Sequence, residues 1–285
     1  METILSLQSW VAYGHVGNAA ALFPMQRMGA EIVAVNTVQF SNHTGYGSWT
    51  GRALDGTAVQ ALVNGIAARG VLPRIDAVLS GYLGNPAVAD AVLDAVARVR
   101  LANPAALYCC DPVIGDTQPG IYVQPGVLVA LRDRAVPAAD ILTPNQFEVA
   151  ALTGLPVTTL DDAIAAAATL RHRMRPGGTV LVTSLQVAET EPGTNGMLVV
   201  DQTGASRVIT PHLPVEVNGA GDVTAALFLL HLLRTRNAPG AMAATAASLH
   251  GLLRRTLDAG QRELAIVAAQ DEFVAPTQTF SAIPC

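Results

Sequence analysis

The stretch that decides the fold is Ala77-Val78-Leu79-Ser80, then the turn-rich Gly81-Tyr82-Leu83-Gly84-Asn85, an alanine- and valine-rich run from Pro86 to Arg100, and Ala106-Leu107-Tyr108-Cys109-Cys110. Two short apolar runs bracket a segment of helical length, the pattern of a strand–helix–strand unit in a parallel sheet. Similar apolar strands are expected at Thr3 to Gln8, Glu31 to Val38, Ile141 to Thr143 and Thr179 to Ser184. Helices are expected at Asn18 to Met28, Thr57 to Arg69, Gln146 to Thr153 and Leu160 to Met174. The alternation predicts a doubly wound α/β fold, a mostly parallel sheet covered on both faces. From Gly196 the pattern changes to two successive strands, Gly196 to Val200 and Ser206 to Thr210, read as a hairpin at a sheet edge. Two apolar helices follow, Val223 to Leu233 and Pro239 to Leu257. No linker-like composition break or internal repeat divides the 285 residues, so one domain spanning 1–285 is expected.

Composition narrows the chemistry. All 17 basic residues are arginine. Without lysine there is no phosphate-loop amine, no protein-kinase strand lysine and no Schiff base. Only 14% of residues are charged and 51% are hydrophobic, which suits a large aliphatic interior. The longest apolar stretch, near Ala225 to Leu233, falls short of the ~20 residues that span a bilayer. The N-terminus carries no cleavable leader pattern, so a cytoplasmic location is expected. A net charge of −5 without a basic block argues against nucleic acid as a partner. The three cysteines, Cys109, Cys110 and Cys285, match neither a disulfide framework nor a zinc site.

Ligands of open α/β sheets lie beyond the carboxyl ends of the strands, and there the polar clusters fall. Asn218-Gly219-Ala220-Gly221-Asp222-Val223-Thr224 opens an apolar helix. Glycines at such a point let backbone amides approach an anion, and the helix dipole favours negative charge. Asp222 beside that site could serve as a base on an incoming hydroxyl; an ordinary capped helix start is the plainer alternative. Asp111-Pro112-Val113-Ile114-Gly115-Asp116 and Asn145-Gln146-Phe147-Glu148 bring three carboxylates to the same rim, enough to hold magnesium with phosphate oxygens and water. Glu148 could equally be a first-turn helix acid, and Asp111 a loop cap. Ser41-Asn42-His43-Thr44-Gly45-Tyr46-Gly47-Ser48-Trp49 is a polar loop able to cover a small aromatic ligand or simply to pack on its own domain.

These motifs resemble the pyridoxal kinases of the ribokinase-like superfamily. The likeness rests on Gln8-Ser9 through Asn18, Asn36 through Tyr46, Ser80-Gly81-Tyr82, Cys110 through Asp116, Thr143-Pro144-Asn145, Gly219 to Asp222 and Val267 through Asp271. It implies a three-layer α/β/α sandwich and transfer of the γ-phosphoryl group of ATP to the 5′-hydroxymethyl of pyridoxal, with pyridoxine and pyridoxamine as further substrates. On that resemblance Asp222 accepts the hydroxyl proton, and Gly219, Ala220 and Gly221 stabilise the transferring group. Ser9, Val16, Phe40, His43, Thr44, Gly45 and Tyr82 hold the pyridine ring. Asp111, Asp116, Thr143, Asn145, Glu148, Thr183, Ser184, Pro211, His212 and Leu213 line the nucleotide, with Mg2+ at Asp111, Asp116 and Glu148. Potassium as a monovalent activator and a homodimer are further expectations of the same likeness. A hydroxymethylpyrimidine kinase and a non-catalytic vitamer-binding protein are the competing readings.

Overall fold

The computed structural model describes residues 1–285. Twelve strands form: β1 (Thr3–Val11), β2 (Glu31–Phe40), β3 (Gly51–Ala53), β4 (Ala77–Ser80), β5 (Leu107–Cys110), β6 (Gly115–Asp116), β7 (Gly120–Ile121), β8 (Ile141–Leu142), β9 (Thr179–Leu185), β10 (Thr194–Asp201), β11 (Gly204–Pro211) and β12 (Ile283–Pro284). Ten of them make one sheet in the order β12-β11-β10-β9-β8-β5-β4-β1-β2-β3, and β6 and β7 form a separate small flap. The central run from β9 to β2 is parallel. β3 and the β10–β11 hairpin add antiparallel margins. The expected edge hairpin therefore exists but is not the edge. The C-terminal β12 pairs with β11 outside it, a two-residue strand too short to show any periodicity.

The sheet is sandwiched, as the α/β/α expectation requires. One face buries Leu5, Leu7, Val78, Cys110 and Val182 against the helices Gly56–Ala67, Pro86–Ala102 and Leu160–Arg173. The other buries Ile4, Leu79, Cys109 and Leu181 against the helices Ala220–Thr235 and Ala238–Asp258, with Ala21 and Met25 of Asn18–Arg27. β1 is nearly all buried, the mark of a central parallel strand covered on both faces. Helix starts follow side-chain chemistry: Asn85 Oδ1 accepts from the amides of Ala87 and Val88, with Pro86 pre-set for the first turn. The helix Pro86–Ala102 then turns Val88, Val92, Ala95, Val96 and Val99 inward at helical spacing.

The order in which strands are added to the sheet reverses between β1 and β4, which are parallel neighbours. β1 leads to β2 on one side through Asn18–Arg27, whereas β2 crosses back to β4, and β4 continues to β5, over the opposite face. Such a reversal opens a crevice at the carboxyl ends of the strands, and the loops after β1, β2 and β4 meet there.

Candidate active site

At that crevice β1 ends in Ser9, Trp10 and Val11. Ser9 is buried, with Gly17 folded against it so closely that a Cβ on Gly17 would lie 2.2 Å from Ser9 Oγ. Val11 is registered with Phe40, and the loops continue together through Ala12 N–H to Phe40 O at 2.9 Å and Tyr13 N–H to Ser41 O at 2.8 Å. On the other side the Gly81 amide donates to Leu7 O, leaving Tyr82 half-buried beside β1. Ser9, Val16, Phe40, His43 and Tyr82 are thus on the loops and strand ends that meet around the crevice. Thr44 and Gly45 are in a short 3-10 turn, Thr44–Tyr46, and are exposed.

The helix Ala220–Thr235 begins at this crevice. Gly219 is its N-cap with φ of 89°, and no side chain caps it. A Cβ on Gly219 would fall 1.8 Å from His15 O, whereas one on Gly221 would meet nothing within 4 Å. Gly219 thus caps the helix through its backbone alone, with no side chain on the first-turn amides, and a side chain at Gly221 would enter open space. Asp222 sits in this turn. Burial pushes its carboxyl up to about 6, against the amides of Gly17 and of Asp222 itself, which favour the charged form.

Asp111 and Thr143 are buried, and the Thr143 hydroxyl donates to Asp111 Oδ1 at 3.1 Å, the only hydrogen bond to this carboxylate. Burial raises Asp111 well above the usual carboxylate range, and the charges of Glu148 and Asp222 add to the effect. No arginine or histidine pairs with it. Glu148 is turned to the backbone: Oε1 accepts from Ile114 N at 2.9 Å and weakly from Gly115 N, and Oε2 from Asn145 N at 2.9 Å. Asn145 completes a capping box by accepting from Glu148 N and also donates to Gly115 O, tying the β6–β7 flap to the rim. Burial still lifts Glu148 to about 7.

Glu148 lies close enough to Asp111, and Asp116 to Glu148, for their charges to act on one another, without forming a preassembled set of three metal-ligating side chains. The oxygens of Glu148 already serve the amides of the loop and helix. Asp116 is exposed on the flap and bonds the Thr117 amide. Because Asn145 both caps its helix and holds the flap, Asn145→Ala should lower unfolding free energy by about 1–2 kcal/mol, read as a fall in the urea midpoint at constant slope.

The remaining residues expected on the nucleotide side lie along the same rim. Thr183 is buried and bridges to Asn145, and its amide donates to Pro144 O. Ser184 is exposed with φ of 52°, a left-handed conformation unusual outside glycine. β11 runs in the same direction as β9, so Pro211, His212 and Leu213 leave the sheet at this rim, separated from Thr183 by β10.

Three participants were not singled out from sequence. Tyr122 follows the flap, and its hydroxyl is pushed strongly up by desolvation and by the charges of Glu148, Asp222, Asp111 and Asp116. Asn218 of the anion loop lies beside the covering loop, its side-chain Nδ2 3.3 Å from His43 Nε2. Glu263 accepts from the His15 amide at 3.0 Å and from the Tyr46 hydroxyl at 2.6 Å. Asn218 stood inside a quoted motif, but no spacing signal marks Glu263.

A family model described as phosphomethylpyrimidine kinase matches residues 27–266. The chain is 58% identical over 284 residues to pyridoxal kinase PdxY of Granulibacter bethesdensis, covering 99% of each. It is 54% identical over 278 residues to pyridoxal kinase PdxY of Rubrobacter xylanophilus, covering 97% of this chain and 95% of that one. The pyridoxal kinase from Leishmania donovani solved in complex with ADP and pyridoxamine superposes with a TM-score of 0.92 at 30% identity over the whole of both chains. A helix start that no side chain caps, an aspartate in its first turn at the sheet's reversal point and end-to-end likeness to these enzymes agree: the chain belongs to the pyridoxal kinases, within the wider phosphomethylpyrimidine kinase family.

Proposed function

We propose that the chain transfers the γ-phosphoryl group of ATP to the 5′-hydroxymethyl of pyridoxal, and also accepts pyridoxine and pyridoxamine. The observation that carries the reading is the turn Gly219–Asp222, where helix amides that no side chain caps sit beside a carboxylate that burial raises to about 6. Asp222 accepts the proton as the substrate oxygen attacks, and the amides of Ala220 and Gly221 stabilise the charge on the transferring group. Thr183, Ser184 and Pro211 to Leu213 take the nucleotide side. Ser9, Val16, Phe40, His43, Thr44 and Tyr82 take the ring.

Asp111 is a buried carboxylate with one hydroxyl donor and no cationic side chain against it, which fits a divalent cation shared with phosphate oxygens and water. We assign Mg2+ to it; the ion, when bound, neutralises charge on the phosphates. Asp111→Asn should then raise the half-saturating magnesium concentration by about 10–100-fold in an ATP-turnover titration. An unchanged magnesium requirement would remove Asp111 from this role. A dependence on potassium belongs to the same proposal and is read by replacing it with choline.

The substrate assignment is tested by ATP consumption with pyridoxal, pyridoxine, pyridoxamine and hydroxymethylpyrimidine side by side. The vitamers should lead in kcat/KM; preference for the pyrimidine would overturn the assignment, and vitamer binding without phosphorylated product would overturn catalysis. The proposal includes a cytoplasmic homodimer supplied with cellular ATP, and sedimentation at the mass of one chain would remove the dimer. No helix is long and apolar enough to cross a membrane.

A further inference from the structure

Two loops without extended regular structure carry Val16, His43, Thr44 and Gly45 of the ring side: Tyr13 to Gly17 after β1, and Ser41 to Thr50 between β2 and β3. Both are fastened to Glu263, which lies after the helix Ala238–Asp258, over two hundred residues away in sequence. Each carboxylate oxygen takes one loop: Oε2 accepts the His15 amide at 3.0 Å, and Oε1 the Tyr46 hydroxyl at 2.6 Å. The side chain is only 12% exposed, so both bonds are shielded from competing water. Gly14 makes room, since a Cβ there would lie 2.4 Å from Oε2. Tyr46 is clasped further by the Arg262 guanidinium 5.6 Å from its ring centre and by the His43 ring at 4.6 Å.

The same carboxylate reaches the expected ring contact. His43 Nδ1 accepts the Gly45 amide at 3.2 Å. In the neutral imidazole Nε2 then carries the proton, and Nε2 stands 3.5 Å from Glu263 Oε1. The neighbouring Leu264 is buried in a cluster with Ala20, Val223 and Leu227, and its Cδ1 would contact a Cβ on Gly219 at 3.3 Å. The segment that presents Glu263 is therefore anchored to the helix that carries Asp222.

We propose that Glu263 is a positioning residue for the alcohol substrate, holding the covering loop through Tyr46, orienting His43, and fixing both loops relative to the phosphoryl-transfer turn. The inference rests on the crevice being the alcohol site. Its effect is carried by loop order and falls on alcohol binding, leaving the nucleotide side unchanged.

The test uses Glu263→Gln, Tyr46→Phe and the double variant in the full chain. Glu263→Gln keeps the size but exchanges one acceptor for a donor. Expected are a rise of about tenfold in KM for pyridoxal with KM for ATP within about twofold, and little further loss from Tyr46→Phe in the Glu263→Gln background. Hydrogen exchange at the amides of residues 43–47 should accelerate, while the thermal midpoint shifts by only a few degrees. Glu263→Asp should recover part of the pyridoxal KM. Unchanged pyridoxal KM, unchanged exchange, additive single effects, or parallel loss of ATP affinity and melting temperature would each overturn the proposal. If the unmodified chain prefers another heterocyclic alcohol, the substrate assignment falls, and the same KM split and exchange measurements on that alcohol still decide the role of Glu263.

Discussion

Asp222→Asn is expected to lower kcat for pyridoxal phosphorylation by about 10²–10⁴-fold, the contribution of a positioned general base. The variant preserves volume and leaves Gly219 to Gly221 in place, so ATP and vitamer should still bind and the melting temperature should not fall. The unmodified enzyme adds a second reading of the same residue. Burial raises the carboxyl to about 6. The base must be ionised, so kcat/KM should be level above that pH and fall about tenfold per unit below it. Asp222→Asn should lose this acid limb while keeping its small residual rate. Retention of full turnover, or of the limb, would mean that another group takes the proton.

Gly219→Ala is expected to be the most damaging single-methyl change in the site. The residue sits at φ of 89°, and the new Cβ would fall 1.8 Å from the carbonyl oxygen of His15, a backbone atom. The left-handed conformation alone costs an alanine about 1–3 kcal/mol, and relieving the contact means parting the first loop from the helix start. That movement displaces the amides of Ala220 and Gly221, and losing one such donor costs about 10²–10³-fold in kcat. Both a lower denaturant midpoint and a kcat loss should therefore appear. Gly221→Ala separates the two effects: its Cβ meets no protein atom and its φ is not positive, so the fold should hold while phosphate approach suffers. A Gly219→Ala chain with unaltered kcat would show that the amides at this turn do not face the reacting group.

Most of the architecture was legible because it is local. Ala77 to Ser80 and Gln146 to Thr153 form as expected, and Asn85-Pro86 and Asn145-x-x-Glu148 mark their helix starts through side chains within one turn. β3, the β6–β7 flap and β12 escaped because strands of two or three residues have no period to detect, and their existence depends on partners supplied from elsewhere. At the site, Gly219 to Asp222 was legible for the same local reason: glycines followed by an apolar helix leave the amides unfilled.

The chemistry of the carboxylates was different. Glu148 was readable both as a metal ligand and as a helix acid, and spacing could not choose between them. Folding brings the amides of Ile114 and Gly115, over thirty residues away, onto Oε1, whereas Asp111 takes a single donor, the Thr143 hydroxyl. Glu263 had no signal at all, since its meaning comes from Tyr46 and His15, brought within hydrogen-bond distance as Leu264 packs against the helix Ala220–Thr235. Periodicity, caps and glycine freedom act over a few residues and are written along the chain. Burial, shared charge and contacts between distant loops exist only once the sheet has closed, and these set the surroundings of Asp222, Glu263 and Asp111.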